Sequence, residues 1–296
     1  MFNSKSSILI SSSLLVSGSS ILVYELKKPR SIKDAAEWRG IKLAKEEDEF
    51  VWGALLFQKK DALKEKKIED KEALKKYCID LYKKGIDDKL VSDVENFCSD
   101  TLNTRKARII GKGFLEDKFL TADDDFKVAF TLNRYTPVFI SLINSFSGKK
   151  YTDKTEAKDA WEDYKNYCDT KLNQNEDTEL QLVQTVCEKK GIKTAQSKIE
   201  AEGRIFLNKD QLKNKFQELK RLNEMQGDTL LNDIQDKEKP NHWQELKEKE
   251  DVFTERLIKW CEEQKTRKLF EEGFYPDVYS RLRTRCTEEN KTPVVK

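Results

Sequence analysis

The residues whose types and spacing most directly predict chemistry are six cysteines, Cys78, Cys98, Cys168, Cys187, Cys261 and Cys286. They form three pairs, whose members are separated by 20, 19 and 25 positions, and the first cysteines of successive pairs lie 90 and 93 positions apart. Paired cysteines form disulfides, bind metal ions or pack as small apolar side chains. Because the chain has no CxxC or CxxH spacing, metal binding is the least favoured of the three.

The midpoint of each cysteine pair carries residues that cap or break helices. These midpoints fall at Asp87 and Asp88, between Asp177 and Thr178, and at Gly273 and Phe274. Each pair is therefore expected to face across a helical hairpin, which predicts the disulfides Cys78–Cys98, Cys168–Cys187 and Cys261–Cys286. Closing a loop of about 20 residues stabilises a fold by roughly 3 kcal/mol. Buried free thiols are the alternative.

No other set of residues forms a recognisable catalytic or cofactor site. The single histidine, His242, follows Pro240 and Asn241 and is interpreted as the start of a helix, not as a ligand or base. The common nucleotide-binding, hydrolase and metalloprotease motifs are absent from the sequence. We therefore predict no catalytic residue, no metal site and no cofactor, and we identify no small-molecule substrate.

A small basic cluster near the C-terminus consists of Arg281, Arg283 and Arg285. The planar guanidinium group suits phosphate and carboxylate ligands. The cluster is therefore a hypothetical anion site for phosphate or for the carboxylate of sialic acid.

The composition predicts an all-α fold. Only 11 Gly and 5 Pro occur among 296 residues, of which 37% are charged, and this favours long solvated helices. The 56 Lys and Arg residues nearly cancel 54 Asp and Glu residues, which argues against a nucleic-acid partner. In the third hairpin the returning helix is expected to carry Tyr275, Tyr279 and Cys286, with Pro276 in its first turn.

Two glycines share the period of the cysteines, and a third precedes them. Gly113 and Gly203 each lie 35 residues after the first cysteine of a pair, and Gly40 is the earlier equivalent. Each follows a short, charged stretch with a helical pattern and interrupts an arm that continues beyond it. We therefore predict three tandem helical units, each an arm followed by a two-cysteine hairpin, at residues 31–103, 104–191 and 192–296.

An apolar stretch, 126–146, interrupts the polar body of the chain and is divided by Pro137. Its density of Phe, Val, Leu and Ile residues is typical of a core. We expect it to form the core between the first and second units, in preference to an exposed partner-binding face.

Residues 1–30 are predicted to be a membrane anchor or a signal segment, with a buried helix as a further alternative. A charge-free stretch, 6–24, is followed at once by three basic residues, Lys27, Lys28 and Arg30. Small residues at 17–20 also suit cleavage by a signal peptidase. The basic residues favour a cytoplasmic body, whereas disulfides favour an extracellular one.

The segment SIKDAAEWRGIKLAKEEDEF, the short apolar N-terminus and the recurring Tyr/Trp-Cys hairpins resemble the large paralogous families of uncharacterised proteins of haemotropic mycoplasmas. The resemblance covers most of the chain. It implies a surface-associated protein that takes part in host contact or antigenic variation, and it implies no catalytic residue. This chain departs from many such proteins by its three cysteine hairpins and its serine-rich apolar segment.

The leading functional hypothesis is a non-enzymatic, membrane-tethered or exported helical repeat protein with an extracellular body. Its expected partners are the membrane, through the N-terminal segment, and a host protein or glycan. The alternative is a membrane-anchored scaffold that faces the cytoplasm and keeps its cysteines reduced. An enzyme is the least favoured class, because only dispersed acids, tyrosines and thiols are present to carry a reaction.

Overall fold

A computed structural model of the protein describes residues 29–219, 221, 229–236 and 242–290. Most of these residues are helical. The chain divides into two compact units, an N-terminal unit that ends at Gly113 and a C-terminal unit that begins at Phe114. The organisation into three tandem units stays a prediction.

The N-terminal unit is helical over most of its described part. Its helices are α1 (Ile32–Trp38), α2 (Glu49–Gln58), α3 (Lys60–Glu65), α4 (Lys71–Tyr82), α5 (Asp88–Phe97) and α6 (Arg105–Gly111). Local sequence sets the starts of α4 and α5, because the carboxylates of Asp70 and Asp87 accept hydrogen bonds from N–H groups of the first turns. The buried faces of these helices pack around Trp52, Leu74 and Val91, none of which is exposed.

The C-terminal unit contains longer helices. Its elements are a 3₁₀ turn (Glu116–Lys118), α7 (Asp123–Asn133), α8 (Pro137–Ser147), α9 (Ala157–Asn173), α10 (Leu180–Val186), α11 (Ala195–Ala201), β1 (Arg204–Phe206), α12 (Lys209–Asn214), α13 (Leu230–Ile234), α14 (His242–Glu248), α15 (Glu250–Lys265), a π turn (Phe274–Val278), α16 (Tyr279–Cys286) and β2 (Thr287–Glu289). Residues 216–219 are also helical. The start of α14 at His242 agrees with the interpretation of that residue as a helix start.

Aromatic rings form much of the packing between α7, α8 and α9. The Tyr164 ring lies edge-on to Phe126 and to Phe139, with centroid distances of 5.5 and 5.0 Å. Such edge-to-face pairs add stability beyond the apolar area that they bury. The apolar stretch 126–146 thus contributes to the core of the C-terminal unit, although Val138 on its outer face is 69% exposed.

The prediction of an all-α fold is correct for most of the described chain but wrong at one place in the C-terminal unit. There β1 and β2 form a two-stranded antiparallel sheet, with the register Arg204↔Glu289, Ile205↔Glu288 and Phe206↔Thr287. Gly203, at φ +69°, turns the chain from α11 into β1. Strands of three residues are too short to show the alternation of apolar and polar residues that predicts a strand.

The third hairpin also departs from the expected single returning helix. The return begins with the π turn, in which Tyr275 has an extended backbone (φ −103°, ψ 128°), and regular α-helix begins only at Tyr279. Tyr275 therefore precedes α16, although it packs against the same core cluster as Leu282 and Cys286. A 3.6-residue pattern that continues across a break in the helix does not reveal the break.

Candidate functional site

Three disulfides join the cysteines in the predicted pairs. The Cα atoms lie 5.6 Å apart in Cys78–Cys98, 5.7 Å in Cys168–Cys187 and 5.8 Å in Cys261–Cys286, all within the usual range for a disulfide. None of the six cysteines is free. Each is almost wholly buried, so the three bonds lie inside the hairpins.

Each hairpin turns near the midpoint of its cysteine pair, as predicted. In the first, Asp87 caps the returning helix. In the second, Glu179 precedes α10 with φ +61°, and in the third Gly273 precedes the π turn with φ +66°. Turn residues at these points place the two cysteines level across the hairpin, which allows the bond to form without distortion of either helix.

An arm precedes each hairpin and has the same local structure all three times. It begins with a seven-residue helix, α1, α6 or α11, whose first turn donates a hydrogen bond to the hydroxyl of Ser31, Thr104 or Thr194. It then turns through Gly40, Gly113 or Gly203, which all have positive φ. The sequence spacing had indicated the glycines, and the serine and threonine caps follow from ordinary helix-start chemistry.

Downstream of its glycine, each arm is hydrogen-bonded to a clasp, by which we mean a disulfide and the hairpin it closes. The main-chain N–H groups of Ala44, Leu120 and Leu207 each donate to the carbonyl oxygen of the second cysteine of a pair, at 2.9 Å. The acceptors are Cys98, Cys187 and Cys286. The sequence predicted the arm and the hairpin but did not indicate this contact, because a main-chain bond leaves no residue-type signature.

A groove of about 540 Å³ lies beside the first arm in the N-terminal unit. It is lined by α1, by the chain from residue 41 to residue 47 and by Ile79 and Tyr82 of α4. Sequence reasoning did not identify it. Its charged lining residues are lysines and glutamates of the kind found all over the surface, and no residue type in the sequence marks the groove.

The chemistry available in this groove is recognition of polar groups. Its charged residues are three lysines and three glutamates, Lys33, Lys42, Lys45, Glu37, Glu46 and Glu47. The Tyr82 hydroxyl is directed at the carbonyl oxygens of Ala44 and Cys98, at 3.1 and 3.0 Å, and burial raises the pKa of that hydroxyl above its ordinary value. Tyr82 is therefore neutral near pH 7 and joins the first clasp to the first arm at Ala44.

The basic cluster predicted at the C-terminus is occupied by internal carboxylates. The Arg285 guanidinium is 2% exposed and lies 2.6 Å from Asp233, which Arg281 also approaches at 3.4 Å. Arg283 pairs with Glu202 at 2.8 Å. These contacts use the guanidinium groups that the anion-site hypothesis requires, so the structure gives that hypothesis no support.

Neither a metal-ligand cluster nor a membrane-spanning helix lies within the described residues. Within the described ranges, no group of His, Cys, Asp and Glu residues has the arrangement of a metal site. No helix in the part of the chain that the structure describes is long and apolar enough to cross a bilayer. Of the predicted anchor or signal at residues 1–30, residues 1–28 lie outside the described residues.

Comparison with known proteins identifies no relative. The chain matches no protein-family model, no curated protein and no solved structure. The resemblance to mycoplasma families therefore stays an expectation.

Proposed function

We propose that this chain is an exported, membrane-tethered protein built of three tandem helical units, which acts by binding and not by catalysis. Its body would be extracellular and would present charged helix faces to a host protein or glycan, in host contact or antigenic variation. The choice of host as partner comes from the resemblance to mycoplasma surface proteins. The exported location comes from the clasps.

The single observation that carries the proposal is that all six cysteines are used in local disulfides. Persistent disulfides occur mainly outside the cytoplasm, because cytosolic thiol reductants keep cysteines reduced. The charge-free stretch 6–24 supplies a route of export. A binding role is favoured over an enzymatic one because the groove combines lysines and glutamates with a neutral tyrosine and holds no evident nucleophile–base pair.

A second candidate is supported by a specific observation, the three basic residues after the apolar stretch. Lys27, Lys28 and Arg30 favour retention of the following chain in the cytoplasm if the stretch is an uncleaved anchor. In that case the protein would be an intracellular-facing scaffold, and its paired cysteines would stay reduced in the cell.

Thiol labelling combined with protease shaving separates these candidates. Cells are lysed in denaturant that contains an alkylating agent, so that buried thiols also react, and the intact mass of the full chain is measured before and after reduction and a second alkylation. We expect no alkyl group before reduction and six after it, together with loss of the body when intact cells are treated with protease. A Cys168→Ser variant, which frees Cys187, is the matched control and should be labelled once without reduction.

The opposite pattern would overturn the proposal. Six alkyl groups before reduction, on a protein that protease removes only after the cells are permeabilised, would establish the intracellular-facing scaffold. Binding is tested separately, by comparing the adhesion of shaved and unshaved cells to host cells. Equal adhesion would remove host contact from the proposal and leave the location intact.

A further inference from the structure

The outer edge of β1 has no partner in the described chain. Hydrogen bonds from Leu207 N–H to Cys286 C=O and from Asn290 N–H to Gly203 C=O flank the sheet. In an antiparallel pair, this pattern turns the main-chain N–H and C=O groups of Arg204 and Phe206 away from β2. Among the described residues, none forms a hydrogen bond with these four groups.

The side chains of β1 do not protect this edge. Natural proteins commonly guard edge strands with charges that project along the edge. Here the Arg204 guanidinium is directed at β2, where its Nε donates to the Thr287 hydroxyl at 2.8 Å. Ile205, between the two outward-facing residues, is apolar and 41% exposed. The edge therefore combines free main-chain groups with an exposed β-branched side chain, which favours addition of another strand.

We propose that β1 pairs with β1 of a second copy of this chain, antiparallel and about a two-fold axis at Ile205. In this register Arg204 lies opposite Phe206 of the second copy, and each such pair exchanges main-chain hydrogen bonds in both directions. Ile205 lies on this axis, opposite Ile205 of the second copy. The two residues form a pair without main-chain hydrogen bonds, the type in which the strands are closest and apolar side chains contact.

Self-complementarity is the reason for choosing a second copy as the occupant. A two-fold interface requires the same patch to supply both halves. β1 meets that requirement, because its two outward-facing residues lie symmetrically about an apolar centre. A pair of three-residue strands buries far less surface area than a stable interface, which needs about 1,000 Å². The association is therefore weak and concentration-dependent.

Position-specific cross-linking tests the pairing. The full chain is purified in mild detergent as Ile205→Cys, in which the native cysteines are closed in disulfides and the new thiol alone reacts with a short bismaleimide. Val138→Cys is the matched control, because Val138 is 69% exposed in the same unit but lies on α8. We expect at least five-fold more covalent dimer from Ile205→Cys. Equal yields at the two positions would overturn the proposal.

Hydrogen exchange in the chain without added cysteines tests the register. Raising the protein concentration should slow amide exchange of Arg204 and Phe206 at least ten-fold and leave that of Ile205, which pairs with Glu288, unchanged. Ile205→Lys should abolish the concentration effect, and Ile205→Val should keep it. Exchange at Arg204 and Phe206 that does not depend on concentration would reject the pairing.

Discussion

Arginines in the C-terminal unit differ widely in how much their ion pairs contribute to the stability of the fold. Arg285, with 2% of its side chain exposed, lies over the Trp260 ring and pairs with Asp233 at 2.6 Å. Removing one partner of a buried ion pair costs about 3–5 kcal/mol. We expect Arg285→Ala to lower the free energy of unfolding by about 3 kcal/mol, measured by urea denaturation.

A neighbouring arginine provides the matched control for Arg285→Ala. Arg283 pairs with Glu202 at a similar distance, but 47% of its side chain is exposed. Exposed ion pairs contribute about 1 kcal/mol or less, so Arg283→Ala should cost no more than that. Equal losses at the two positions would show that burial does not determine the contribution of Arg285.

Asp163 connects a residue-level contact to the pH dependence of stability. The Lys149 ammonium, at 2.8 Å, and the Tyr151 hydroxyl donate hydrogen bonds to the Asp163 carboxylate and hold its pKa below the ordinary value. A carboxyl whose pKa is lower in the folded than in the unfolded state stabilises the fold fully above its unfolded-state pKa. That stabilisation is lost as the pH falls through the folded-state pKa.

We therefore expect Asp163→Asn to reduce stability at neutral pH and to differ less from the wild type in acid. The difference in the free energy of unfolding should be constant above about pH 5 and shrink below about pH 4, where the unfolded carboxyl protonates. Urea denaturation at stepped pH measures it. A difference that grows as the pH falls would contradict the assignment.

At the scale of elements, the arms depend on glycines at defined turns. Gly203 has φ +69°, and a Cβ atom placed there would contact no neighbouring atom. Any destabilisation by Gly203→Ala therefore comes from placing alanine in a left-handed backbone conformation, which should lower the free energy of unfolding by about 1–2 kcal/mol. We expect that loss in urea denaturation, together with weaker protection of the Leu207 amide, which anchors the third arm to its clasp.

A change from glycine to alanine at Gly53 should have the opposite effect on the free energy of unfolding. Gly53 lies inside α2, does not have positive φ and also has open space where the methyl group of an alanine would lie. Alanine is favoured over glycine in a helix interior by about 1 kcal/mol, so Gly53→Ala should stabilise the fold. If both substitutions changed the free energy of unfolding in the same direction, backbone conformation would not be what distinguishes these two glycines.

At the scale of the whole molecule, charge is high in amount but nearly balanced. The formal net charge is +2, from 56 basic and 54 acidic residues, and many of these form ion pairs with each other. Non-specific binding to DNA requires a cluster of cations that displaces counterions from phosphates. We expect a fluorescent DNA duplex of about 20 base pairs to bind more weakly than about 10⁻⁴ M in physiological salt, measured by anisotropy. Tighter binding that weakens steeply with added salt would contradict this.

Some features of this protein follow from its sequence alone. Cysteine pairing was predictable because both members of each pair lie in one hairpin, with turn residues such as Asp87 and Gly273 at the midpoint. Gly113 and Gly203 were predictable because each lies 35 residues after the first cysteine of a pair, a relation that Gly40 does not have. The predominance of helix follows from composition and from the 3.6-residue spacing of residues such as Leu74, Cys78 and Leu81.

Other features were decided only by tertiary structure, because they join residues that are distant along the chain. The sequence shows three arginines but not that Asp233, about 50 residues earlier, neutralises two of them. It shows a glycine at 203 but not that the next three residues pair with the chain after Cys286. Packing of the helices brings these groups together, and neither residue type nor local periodicity records which distant partner packing will supply.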